Sequence, residues 1–230
     1  MELHSHTDFD PVDWIEHSAE ELIDEAARQG VKVLAITCHD ALQWSSQLEA
    51  YARAAGVLLI PAVEASIEGK DVLVYGIKDF HSIESFEKLR RLRRQNPEIL
   101  VIAPHPFYPA ASCLGAKLFE YSDCFDAIEF CHFYTSQINF NLKAVQAAQS
   151  LAKPLIGTSD IHLLSQMGKT TSTVQVAELS YESIAGAIRR GEARLSSTPL
   201  AWSQVGYYLF HLKMIGAKGL LARLGFLRRK

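Results

Sequence analysis

Seven short runs of aliphatic and β-branched residues recur along this chain, at 31–37, 57–66, 71–77, 99–105, 127–131, 154–160 and 172–176, with helical patterns between most of them. Most of the runs, "VKVLAIT" and "ILVIAPH" among them, are near-continuously apolar, as strands of a parallel sheet covered on both faces should be. Amphipathic helices are expected at 18–30, 42–56, 82–95, 138–153 and 180–191. The first opens on Ser18 with Glu21 three residues on, a capping box, and stops at Gly30. Such alternation implies βα units carrying a parallel sheet, open or closed into a barrel. With 230 residues, no internal repeat and no linker, one α/β domain over 1–198 is expected, followed by a basic, amphipathic helical tail over 199–230.

The carboxyl ends of the strands carry the chemistry. An N-terminal strand ends in His4-Ser5-His6 and the next in Thr37-Cys38-His39-Asp40. Later ends supply Glu64, His105, Glu129 with His132, and Asp160 with His162. These are the positions where α/β folds place active sites. A lone His at a strand end is usually structural; eight residues of ligand type at successive ends reverse that default. In His-x-His and Asp-x-His the side chains share one side of a strand and form a chelating pair. Mixed imidazole and carboxylate donors suit Zn²⁺, Mn²⁺ or Fe²⁺ and disfavour Ca²⁺ or a thiolate cluster. Eight donors exceed one ion's needs, so two or three ions are implied, with Glu64 the natural bridge. Ions so held would acidify a bridging water toward a usable hydroxide nucleophile.

The order "ELHSHT … ITCHD … PAVEAS … APHP … AIEF … GTSDIH … GKTTSTV" over roughly residues 1–195 resembles the PHP (polymerase and histidinol phosphatase) family of metal-dependent phosphoesterases. The resemblance implies a distorted (β/α)7 barrel with a trinuclear metal site at the C-terminal ends of the strands. It implies that His4, His6, Glu64 and Asp160 hold a first metal, and that Glu64, His105 and His132 hold a second. His39 and His162 would hold a third, with Asp10 the expected further ligand and Asp8 or Asp13 as alternatives. Glu2 stands where the family usually has Asp, Cys38 replaces a carboxylate, and "DFDP" replaces the usual "SDG". The catalytic group implied is Glu64, Asp160 and His162, and Lys169 in "MGKTT" is the candidate clamp for the substrate phosphate.

The resulting expectation is a metal-dependent phosphoric ester hydrolase acting on a phosphorylated small molecule, a nucleotide or a nucleic-acid end. Two alternatives compete with it. One is a non-catalytic metal-binding regulatory or membrane-associated module. The other is an amidohydrolase-like C–N hydrolase, disfavoured because Glu64 stands where those enzymes carry a bridging Lys. A mean hydropathy near zero, four cysteines without CxxC spacing, and no cationic-then-apolar leader fit a cytoplasmic protein with reduced thiols. His17, His81 and His211 lie off the strand ends and read as surface or cap residues. The Arg90–Arg94 cluster reads as a solvated helix face more readily than as a polyanion grip. From Ala193 onward there are seven Lys or Arg and no acid, against a whole-chain net charge of −3. That basic tail admits weak contact with membrane or nucleic acid, with packing on the barrel as the plainer role.

Overall fold

The structure, a computed structural model, describes residues 1–224 and 227, without the side chain of Arg223; Arg228, Arg229 and Lys230 of the expected cationic edge lie outside the described residues. Six strands form one curled sheet in chain order: β1 (Val33–Ile36), β2 (Leu58–Ile67), β3 (Lys70–Tyr75), β4 (Leu100–Ala103), β5 (Ala127–Cys131) and β6 (Leu155–Thr158). The β1–β2, β4–β5 and β5–β6 pairs are parallel, but β3 runs antiparallel to both neighbours. The expectation of an all-parallel sheet is corrected here. Glu68 and Gly69, with φ of 50° and 71°, make a two-residue hairpin turn between β2 and β3. A parallel crossover would need about a dozen residues.

The first six residues form no ladder of their own but bridge the sheet's two edges. Glu2 N donates to Val33 O at 2.9 Å and Thr37 N to Ser5 O at 2.8 Å; His6 N donates to Ile161 O at 2.9 Å and Ile161 N to His4 O at 3.0 Å. A second sheet pairs β7 (Thr170–Thr173) antiparallel with β8 (Arg194–Ser197). The strand expected at 172–176 therefore begins two residues early, and β8 was not anticipated. Gly157 lets this pair lie close to β6, since a Cβ there would meet Leu195 Cδ1 at 2.0 Å.

Helices flank the sheet: α1 (Ala19–Arg28), α2 (Ser46–Ala54), α3 (Phe86–Gln95), α4 (Lys117–Glu120), α5 (Asn141–Ser150) and α6 (Tyr181–Arg189). Ser18 and Glu21 close the capping box, and Ser45, Ser85 and Ser180 cap α2, α3 and α6, each satisfying an otherwise orphaned first-turn amide. One core lies on the sheet's inner face, where Ile60, Ala62, Leu73 and Ile102 meet Ile184 and Ile188 of α6. Two others fill the space under α3 and α5 and under α1 and α2. Alternation along β2 sends Val63 and Ala65 to the outer core and Ala62 inward, so Glu64 points inward too. Arg90 and Arg93 are not a bare cationic face: they pair with Asp123 at 2.7 Å and Asp126 at 2.5 Å.

A last helix, α7 (Trp202–Arg223), crosses loops at the carboxyl ends of the parallel strands. Tyr208 Oη donates to Ser165 O at 3.2 Å, Lys218 Nζ reaches Glu16 Oε1 at 2.7 Å, and a Cβ on Gly219 would lie 2.5 Å from Val12 O. No helix among the described residues is long and apolar enough to cross a membrane. All four cysteines are buried and unpaired.

Candidate metal centre

The parallel strands deliver their ends to one mouth. His39 follows β1, His105 follows β4, Glu129 sits in β5 with His132 just beyond, and Asp160 and His162 follow β6. Asp40, His105 and Asp160 take left-handed backbone, with φ of 47°, 26° and 45°. Non-glycine residues adopt that region at a cost, and such strain collects at functional sites. Asp40 itself holds the frame: its Oδ1 accepts from Ser66 N at 2.8 Å.

Glu64 is the hub. Its Oε2 lies 3.2 Å from His4 Nε2, 3.4 Å from His6 Nε2 and 3.4 Å from His39 Nε2, and its Oε1 lies 3.3 Å from His105 Nε2. Asp160 Oδ1 is 3.3 Å from His4 Nε2 and 3.6 Å from His6 Nε2. Two donors each about 2.1 Å from one first-row ion, at tetrahedral or octahedral angles, stand about 3.0–3.4 Å apart. Most of the distances here are edges of such a polyhedron. Three of the buried polar atoms without a hydrogen-bond partner are His6 Nε2, Glu64 Oε1 and Asp160 Oδ1. Buried polar atoms are ordinarily satisfied, so their clustering fits a cation as the missing partner. The groups that bring three donors within 4.8 Å of one another include His4–His6–Glu64, His6–Asp160–His162, His6–Asp10–His39 and His4–His105–Glu129.

Carboxylates also fix the far nitrogens of the imidazoles. His4 Nδ1 is 2.8 Å from Glu129 Oε1, and Asp10 Oδ2 is 2.8 Å from His6 Nδ1 and 2.9 Å from His39 Nδ1. His162 Nε2 meets Asp13 Oδ2 at 3.1 Å, while Asp8 is exposed. The acid after His-x-His thus divides into two: Asp10 serves His6 and His39, and Asp13 serves His162. Glu129 received no role from the sequence beyond its strand-end position. Its alternation with Ala127, which faces the inner core, was the available signal. Gln166 was also missed. It is buried, and its Oε1 accepts from His162 N at 2.8 Å and Leu163 N at 2.7 Å.

Electrostatics follow the packing. Burial alone would raise the Glu64 and Asp160 carboxyls, but the surrounding imidazoles, His4 foremost, hold both well below the usual carboxylate range. Burial opposes Asp10 likewise, and hydrogen bonds from His39 and His6 hold it low. Burial disfavours charge on His39 and His162, yet facing carboxylates push them up to about 10 and about 9. Buried carboxylates here are matched against positive charge, which a divalent cation supplies when it replaces imidazole protons.

His132 is not brought into these groups. It is buried, Gln166 Nε2 donates to its Nε2 at 3.1 Å, and Tyr208 of α7 lies edge-on to its ring at 5.9 Å; burial pushes it down to about 4. Lys169 is half-buried on the loop before β7. Cys38 packs in the core under α1 and α2, its thiol pushed up to about 12 by burial. His17 differs from the surface role expected: it is buried and its Nε2 lies 2.8 Å from His6 O, fixing the backbone of a central donor.

A search of family models matches the PHP domain over residues 2–159 and a PHP-associated region over 139–193. A two-domain protein from Bacteroides vulgatus ATCC 8482, containing a predicted PHP-like metal-dependent phosphoesterase, shares the fold. Its TM-score is 0.66 at 18% identity, over 92% of this chain and 68% of that one. The lesion-specific endonuclease of Pyrococcus furiosus gives a TM-score of 0.60 at 17% identity, over 84% of this chain and 56% of that one. In sequence, a PolC-type DNA polymerase III of Lactococcus lactis is 37% identical over 86 residues, 37% of this chain but 5% of that protein. The PHP domain match runs from the His-x-His segment through β6, the PHP-associated match takes in Asp160 and His162, and the chain belongs to the PHP domain family.

Proposed function

We propose that the chain is a metal-dependent hydrolase of phosphate esters that holds two or three divalent ions of the Zn, Mn or Fe type at the mouth. The observation that carries this reading is the convergence of four imidazole Nε2 atoms on Glu64 at 3.2–3.4 Å. Ions held there would supply an acidified water and neutralise the non-bridging oxygens of a phosphate. His4, His6, Glu64 and Asp160 are assigned to the first ion, and Glu64 with His105 to the second, which His132 completes on leaving Gln166. His39 and His162 are assigned to a third, with Asp10 or Asp13. We read the N-terminal segment as the closing stave of a distorted (β/α)7 barrel, because its amides bond to both sheet edges.

The chain's own groups have separable tasks. Glu64 and Asp160 keep the imidazole nitrogens aimed inward, and Glu129 and Asp10 set the ring orientations from behind. His162, tethered by Asp13, is assigned to holding the third ion, whose charge would stabilise the leaving alkoxide. Lys169 is assigned to the substrate phosphate. The endonuclease and polymerase names among the similar proteins favour a nucleotide or oligonucleotide end over a small sugar phosphate. The test incubates the purified chain with Mn²⁺ or Zn²⁺ and p-nitrophenyl phosphate, nucleotides and end-labelled oligonucleotides, with bound metal measured on the same sample. Hydrolysis of at least one substrate with two or more ions per chain is expected. No hydrolysis, with fewer than two ions bound, would favour a non-catalytic metal-binding module instead.

A further inference from the structure

Helix α7 is apolar on the side it turns to solvent. Tyr208 and Ile215, 3% and 7% exposed, and Gly219 face the mouth loops. On the opposite side Trp202, Leu209, Phe210, Met214, Leu221 and Leu224 follow one another at helical spacing, Phe210 at 62% exposure and Leu224 at 61%. Soluble helices normally reverse this pattern and put the polar stripe outward. The mouth loop beneath α7 adds exposed Phe9. A contiguous patch of this kind marks an interaction surface.

We propose that the outer face of α7 docks in the plane of an anionic lipid surface, turning the mouth loops toward it. Three observations choose this occupant. After Glu192 the chain carries seven Lys or Arg and no acid, six of them from Lys213 onward, although its net charge is −3, so in sequence this end complements an anionic partner better than the acidic remainder does. A second copy fits poorly. The stripe from Trp202 to Leu224 has Lys213 at its midpoint, and a two-fold antiparallel pairing would set Lys213 against its twin. Polynucleotide phosphates call for an array of donors, whereas this face offers large apolar groups around one exposed lysine. Apolar groups entering the headgroup boundary while Lys213 reaches back to a lipid phosphate meet both demands.

The full chain is sedimented with phosphatidylcholine vesicles, with and without phosphatidylserine. Binding to the phosphatidylserine vesicles is expected, weakening as salt rises. Phe210→Ser and Leu221→Ser should each lower partitioning by about tenfold, the burial of one large side chain, with thermal unfolding unchanged because both residues are exposed. Failure to sediment with phosphatidylserine vesicles overturns the proposal, as does wild-type binding by both variants. A dimer in sedimentation equilibrium that Phe210→Ser dissociates, without vesicle binding, would give the face to a second copy. Salt-sensitive binding of an oligonucleotide that Lys213→Gln weakens, again without vesicle binding, would give it to nucleic acid. None of these readouts uses hydrolysis, so they stand apart from the fate of the phosphoesterase reading.

Discussion

The two sides of the mouth back their imidazoles with different chemistry. On the side built from the N-terminal segment and the β6 end, carboxylates stand behind the rings: Glu129 behind His4, Asp10 behind His6 and His39, Asp13 beside His162. On the β4–β5 side the partners are neutral. Cys113 Sγ lies 3.4 Å from His105 Nδ1, and His132 lies between Cys131 and Gln166. A carboxylate behind an imidazole makes it a stronger donor and locks its orientation. The first side should therefore hold ions firmly and the second should exchange them.

The largest expected effect is on the firm side. His4→Ala removes a donor shared by Glu64 and Asp160 and should lower phosphoesterase turnover by roughly 10³-fold or more, the scale of metal charge stabilisation. Turnover of p-nitrophenyl phosphate at saturating Mn²⁺ checks it, and near-normal turnover would remove His4 from the centre. Next, Glu129→Gln should weaken metal affinity by about 10–100-fold, read by chelator titration. Cys113→Ala should cost less, since sulfur is a poor hydrogen-bond partner; equal losses would erase the contrast. Smaller again, Gln166→Ala frees His132, and tighter binding of the most weakly held ion is expected in that titration.

The smallest effect is a pH dependence of the chelated protein. His162 and His39 titrate at about 9 and about 10 when folded and near 6.5 when unfolded. Their stabilisation is whole below about 6.5 and lost as pH rises through those folded values. His17 and His132, pushed to about 4 by burial, work the other way and weaken the fold as pH falls from about 6.5 towards 4. Calorimetry should show the melting temperature falling on both sides, with metal flattening the alkaline limb. An unchanged alkaline limb after metal loading would mean that the imidazoles do not bind the ions.

The donors at strand ends were legible because each sits where an apolar run stops, and His-x-His and Asp-x-His declare their own geometry. What escaped depended on partners distant in sequence. Glu129 is distinguishable from a surface acid only once β5 is known to face His4, 125 residues away. Gln166 has no motif, and its value lies in two backbone amides it happens to meet. The antiparallel β3 was readable in Glu68-Gly69 but was outweighed by the βα rhythm around it. The contrast between Asp10 and Asp13 needed the loop's actual path, which spacing alone does not give.

The N-terminal segment has a kinetic consequence. Its bonds join Glu2 to Ser159 and Met1 to Ser172, sequence separations of 157 and 171. Contacts that distant form slowly because the loop between them must be closed first. His4 and His6 can therefore meet β1 early, through the Glu2–Val33 and Ser5–Thr37 bonds, but are closed against the β6 end only after β6 has joined the sheet. Metal uptake then becomes a clock for completed topology: a nascent or truncated chain ending before Asp160 would have most of its histidines and no assembled centre to put them in.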